Sequence, residues 1–162
     1  MTERDTFTTI DDGDQLNDGY FNGIQKPLSD FDATDNTRQE GDSASYATKR
    51  TIAIAAGAVV NYVLVRFDLE AYGTHGGTDG SYTSIAYAQV TIDSVQKFEA
   101  SVTCPYIIRD QSGTSNTRVA VFKYTPSTAE KAAGFTIDLD LKQVGTCSAP
   151  TSYNHYWEVW GA

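Results

Sequence analysis

The sequence predicts an all-β fold, an antiparallel β-sandwich or jelly-roll-like domain carrying an extended or partly helical N-terminal arm. Three observations predict it. Aromatic residues make up 12% of the chain, with ten Tyr against one Met, and Leu is scarce beside Thr, Ser, Val, Ala and Gly, a balance that favours strands. From Thr51 onward, runs with period-two alternation follow one another at short spacing, separated by turn signals. The net charge of -9 is uneven, since residues 1–46 hold 11 acids and 3 bases whereas the rest holds 10 and 9. The chain therefore divides into an acidic arm, 1–46, and a β domain, 47–162, a size that suits one core plus an extension.

In the arm, Asp14 is placed to cap a short helix carrying Leu16, Tyr20 and Ile24 at helical spacing. Gly19 and Gly23 interrupt that helix at about 1 kcal/mol each, so the segment is expected to order only against a partner. Being four apart, the two glycines also permit close approach of another backbone. Residues 26–46 are polar and turn-rich and read as a linker or an extended arm.

In the domain, Thr51–Ala56 and Val59–Glu70 flank Gly57. The second run puts Val63, Val65, Phe67 and Leu69 on one side with Arg66, Asp68 and Glu70 on the other, as a central strand would. Thr83–Asp93 places Ala86, Ala88, Val90 and Ile92 together, and Phe98–Ile108 does the same for Phe98, Ala100, Val102, Cys104, Tyr106 and Ile108. Thr117–Thr125 follows. Ser127 and Glu130 form a capping-box start and Gly134 a stop, which predicts one short helical turn. Phe135–Gln143 turns Phe135, Ile137, Leu139 and Leu141 inward and Asp138, Asp140 and Lys142 outward. The last strand is Tyr153–Trp160, with Tyr153 and Trp157 on one face and Tyr156 and Trp160 on the other. Only one face can fill the core, so the second is read as a subunit interface or a carbohydrate-stacking platform. Tyr156, Trp157 and Trp160 are the candidate residues.

The chemistry of catalysis is sparse. His75 and His155 are the only histidines, and neither lies in a metal-ligand spacing. Tyr72–Gly80 is glycine-rich but has neither a P-loop lysine nor a dinucleotide-binding spacing, so it reads as a surface loop. Asp138 and Asp140 share a polar strand face with Lys142, which reads as a solvated surface rather than a glycosidase pair. No G-x-S-x-G is present. Asp30, Asp32, Asp35, Glu40 and Asp42 offer oxygen ligands to calcium without the D-x-D-x-D-G loop, and a solvated acidic linker is the expected reading. Cys104 and Cys147 are too few for a disulfide framework or a four-ligand zinc site, and two free thiols are favoured over a bridge. The expectation is a non-enzymatic protein without cofactor or metal. The acidic arm argues against nucleic acid or anionic lipid as partner, and no apolar run long enough to cross a membrane, or signal peptide, is found.

The segment Asp12-Gly13-Asp14-Gln15-Leu16-Asn17-Asp18-Gly19-Tyr20-Phe21-Asn22 resembles the N-terminal pattern D-G-D-x-L-T-A-x-x-L-N of tailed-phage fibre and virion-attached proteins. Asp12, Gly13, Asp14, Leu16 and Asn22 match, and Phe21 stands for the apolar Leu. Asn17, Asp18 and Gly19 depart from the Thr-Ala-Ala portion, and Phe7 lies further upstream than is usual. The resemblance implies an N-terminal segment docked on a particle through Phe7, Asp12, Gly13, Asp14, Leu16, Gly19, Tyr20, Phe21, Asn22 and Ile24. It also implies an outward β domain, commonly trimeric.

The expected function is thus a structural component of a virus particle: a fibre, spike, turret or capsid-decorating protein, assembled in host cytoplasm and exposed on the particle. Its expected partners are itself, other virion proteins through the arm, and a host-surface glycan or receptor through loops 72–82, 109–116 and 145–152. The competing reading is a carbohydrate-binding or lectin-like module.

Overall fold

The computed structural model describes residues 37–58, 60–74, 82–107 and 113–161, with backbone alone at 105–107. Among these residues, nine strands and one short helix follow in order: β1 Gln39–Gly41, β2 Ala47–Ile54, β3 Val63–Gly73, β4 Tyr82–Ile92, β5 Val95–Ile107, β6 Thr114–Tyr124, α1 Thr128–Ala133, β7 Phe135–Gly145, β8 Thr151–Asn154 and β9 Trp157–Gly161. Every pairing is antiparallel.

Sheet A has the order β1-β8-β3-β6, with β9 continuing the line of β8 along β3, and sheet B has the order β2-β7-β4-β5. Successive strands cross from one sheet to the other except at the β4–β5 hairpin and between β8 and β9, which share one row of sheet A. Two four-stranded rows wound in this way are the plan of an eight-stranded jelly roll, two Greek keys closed over one core. The predicted fold class is therefore observed.

The alternation read from the sequence places the core. Val63, Val65, Phe67 and Leu69 of β3 and Ile137, Leu139 and Leu141 of β7 are all 0% exposed. They meet Ala86, Ala88, Val90 and Ile92 of β4 and Ala100, Val102 and Cys104 of β5 between the sheets. Phe98 stacks on Phe122 at 5.3 Å and meets the edge of Phe67 at 6.4 Å, closing the core between β5 and β6. Tyr106 and Ile108, also expected inside, have side chains outside the described residues.

Two-residue hairpins favour turns with positive φ at both positions, because that twist matches the strands. Asp93 and Ser94 have φ of 47° and 66°, and Asp93 Oδ1 accepts from the backbone N of Thr136 at 2.8 Å. α1 has the predicted capping box, with Ser127 Oγ accepting from Glu130 N at 3.2 Å and Glu130 Oε2 accepting from Ser127 N at 2.7 Å. Both cysteines are buried, and burial raises the pKa of Cys147.

Three expectations change. Gln39–Gly41, assigned to the arm, is a strand of sheet A, so the structured domain reaches back past residue 46. The single strand Tyr153–Trp160 is two strands, interrupted at His155 and Tyr156. Asp140 is 7% exposed rather than solvated, because Tyr46 lies across the outer face of sheet B. The Tyr46 hydroxyl donates to Glu99 Oε2 at 2.5 Å on the far strand. Gln89 Nε2 donates to Asp140 Oδ2 at 2.8 Å, and Lys142 Nζ lies 4.3 and 4.5 Å from the Tyr46 and Tyr87 rings. Burial and then the Glu99 carboxylate raise the Tyr46 pKa. Asp138 is more open and accepts from Thr51 Oγ1 at 2.7 Å.

Candidate functional site

The interruption at His155 and Tyr156 decides which aromatic side chains reach the surface. In β8, Tyr153 pairs with Glu70, whereas in β9 Trp157 pairs with Phe67, so three residues between these pairs on one strand face two on the other. The extra residue is a bulge, and it reverses the inside-outside parity beyond it. One carboxylate holds the bulge in place. Asp68 Oδ1 accepts from the backbone N of His155 and of Tyr156, each at 2.8 Å, and Asp68 N donates to Tyr156 O at 3.2 Å.

Behind the bulge lies Asn154, which is 0% exposed. Its Nδ2 sits 2.7 Å from both Asp68 O and Tyr156 O, and its Oδ1 accepts from Arg50 Nε at 2.6 Å. Arg50, 6% exposed, comes from sheet B. A second bulge places Lys49 between the pairs Thr48–Asp140 and Arg50–Leu139, which turns the guanidinium inward. Its Nη2 then donates to Thr37 O at 2.6 Å. Arg50, Asn154 and Asp68 thus link the incoming chain, both sheets and the β8–β9 bulge. Nothing in the alternation pattern singled them out, although Asn154-His155 was the one polar break in the final run.

Trp157 is 3% exposed and packs in the core, so it is removed from the surface candidates. Tyr153, expected on its face, lies on the opposite one, covered by the Arg38 guanidinium 3.8 Å above its ring and by Tyr72 at 5.8 Å. Tyr156 and Trp160 face outward as expected. The outer face of sheet A carries the rows Trp160–Leu64–Lys123 and Glu158–Arg66–Val121, then Asp68–Val119. Lys123 Nζ lies 4.1 Å from the Tyr62 ring, and Arg66 lies 5.2 Å above Tyr156 and 3.7 Å from Glu158. Tyr156 donates to Glu158, and that bond, more than burial, raises the tyrosine pKa. His155 Nε2 sits 2.6 Å from Glu70 Oε2 at the surface. This aromatic and mixed-charge surface is suited to stacking and packing.

The strand ends that flank the three loops named from the sequence meet at one end of the sandwich. Gly73 pairs with Thr114, Tyr82 with Ile107 and Ser84 with Gly145. Ser148 N donates to Thr74 O at 3.1 Å, which ties the third loop to the first. Residues 75–81 and 108–112 lie outside the described residues, as do all ten arm residues proposed for docking. Among the described residues no cluster of three or more His, Cys, Asp or Glu side chains is placed to hold a metal, and Glu40 faces Arg38 at 3.6 Å. No helix among them is long and apolar enough to cross a membrane.

No family model and no curated protein matches the chain. Among solved structures, a chain of the infectious bursal disease virus Gt strain is similar at TM-score 0.40 and 14% identity. The match covers 77% of this chain but 30% of the viral one. The sugar-binding EclA C-terminal domain is similar at TM-score 0.34 and 7% identity, covering 77% of this chain and 78% of that one. A CBM4 chain is similar at TM-score 0.32 and 13% identity, covering 82% and 96%. These are distant likenesses of β architecture, and they carry no functional argument.

Proposed function

We propose that the chain is a non-enzymatic structural component of a virus particle, a fibre, spike, turret or capsid-decorating protein whose arm docks on the particle while its jelly roll projects. The observation that carries the reading is a jelly-roll domain, an architecture used by capsid and lectin domains alike, joined at its β1 edge to an acidic arm with the Asp12-Gly13-Asp14-x-Leu16 motif. Loops 72–82, 109–116 and 145–152, whose flanking strands end together on a rigid sandwich, are the surface this reading assigns to a host glycan or receptor. Self-association, as a trimer, completes the reading. Fold alone does not give function, so the test is direct. Mass spectrometry and antibody labelling of purified particles from the source of this gene should find the chain at many copies per particle. Its absence from particles would overturn the proposal.

Carbohydrate binding is the second reading, favoured by the outward placement of Trp160 beside Leu64 and of Tyr156 beside Arg66. Across a glycan panel, binding should change the emission of Trp160 and leave buried Trp157 nearly silent. A Trp160→Ala chain that still binds the same glycan would exclude this face.

A further inference from the structure

Sheet edges expose backbone N–H and C=O groups that invite another strand, and proteins usually blunt them. Three edges of this sandwich are blunted. On the β1 side the edge strands are short, three residues in β1 and five in β9, and β2 is bulged at Lys49. On β5, the carbonyls of Thr103 and Ser101 accept from Asn116 Nδ2 at 2.9 Å and Arg118 Nη1 at 3.0 Å. β6 is different. It runs for 11 residues without a proline or an acid. Val119 and Val121 stand 56% and 55% exposed on it. Beyond Arg118, no backbone partner for its outer edge exists among the described residues.

The arm contains a matching strand. Thr6-Phe7-Thr8-Thr9-Ile10 is the one five-residue run of strand formers in residues 1–36 without Gly, Pro, Asp or Asn, and Asp5 and Asp11 flank it. Residues 1–36 carry 9 acids and 2 bases, whereas β6 carries Arg118 and Lys123 alone. One antiparallel register satisfies both features. Asp5 opposite Lys123 sets Phe7 opposite Val121 and Thr9 opposite Val119, covering the exposed valines on the outer face of sheet A.

We propose that Thr6–Ile10 of one copy adds as a strand to the β6 edge of a neighbouring copy. This names a partner for the arm and rests on the assembly reading above. The described chain enters sheet A at β1, the edge opposite β6, so a head-to-tail neighbour brings one copy's arm beside the next copy's open edge. Contacts of that heterologous kind form a ring where the rotation between copies closes, as in a trimer, and a filament where it does not. The 26 residues between Ile10 and Thr37 span up to about 90 Å when extended, enough to reach across a subunit.

The test mixes full-length chains carrying Phe7→Cys with chains carrying Val121→Cys, then applies mild oxidation or a short bismaleimide. Cys104 and Cys147, buried, should stay inert. A covalent dimer in the mixture is expected, since neither chain alone holds both thiols. Thr8→Pro/Thr9→Pro, which removes an N–H whichever residue faces β6, should weaken self-association by about tenfold or more. A cross-link seen only within a doubly substituted chain would assign the strand to its own copy and overturn the proposal. So would an oligomer indifferent to the prolines with no cross-link, yet that result would leave the particle reading standing, because co-purification judges it separately. A full-length chain that stays monomeric and uncross-linked at micromolar concentration would also overturn it.

Discussion

The two edges of sheet A are built in opposite ways. At the β1 side the edge is short and packed from within: Arg50 reaches across from sheet B to Asn154 and to Thr37 O, and Gly41 presses against Ser152 and Leu141. At the β6 side the strand is long and paired with β3 along its inner edge, it carries two exposed valines on its outer face, and its side-chain bonds to β5 come from Asn116 and Arg118. A buried polar group must be satisfied or it destabilises the fold, whereas an exposed valine costs little in the monomer. The first edge therefore serves folding, and the second is free to serve association.

Breaking the β1 side should have the largest effect. Arg50→Met leaves Asn154 Oδ1 and Thr37 O without their donor, and urea unfolding should show a loss of about 2–4 kcal/mol. Gly41→Ala should follow at about 1–3 kcal/mol through overpacking, since a Cβ there would meet Ser152 Oγ at 2.4 Å and Leu141 Cβ at 2.8 Å. An unchanged midpoint for either would erase the contrast between the edges.

The end of β6 has one tie that titrates. Tyr124 donates to Glu130 Oε1 at 2.5 Å. That bond first, then the Ser127 cap, lowers the Glu130 pKa from 4.5 to about 2. Burial and the same carboxylate push Tyr124 up to about 12. Because the folded pKa is depressed, the stabilisation is present above the unfolded value and disappears as pH falls from about 4.5 through about 2. Glu130→Gln should cost about 1 kcal/mol at neutral pH and should flatten this part of the acid-unfolding curve. A variant with an unaltered acid slope would show that the tie contributes nothing. The smallest effect is expected on the β6 surface itself: Val121→Thr should leave monomer stability within about 0.5 kcal/mol while weakening self-association. A large loss of monomer stability would mean the open edge is part of the core after all.

Much of this architecture was legible in the sequence because burial on a strand repeats every second residue. The inward sets of β3, β4, β5 and β7, and the Ser127–Glu130 cap, follow from local pattern alone. The surface was less legible. Tyr153 and Trp157 share a parity in the sequence but not in the fold, since a bulge adds one residue opposite Asp68 and reverses everything after it. Asp140 sits at an outward position yet is buried, because Tyr46, distant in sequence, covers it.

By itself, then, the sequence determined the fold class, the strand series, the core faces and the acidic imbalance of the arm, all properties that depend on neighbours along the chain. Only the tertiary structure decided the jelly-roll strand order, the inward turn of Arg50, the sorting of Trp157 from Trp160 and the contrast between a sealed edge and an open one. Those depend on register between strands distant in sequence, where a one-residue shift exchanges inside for outside.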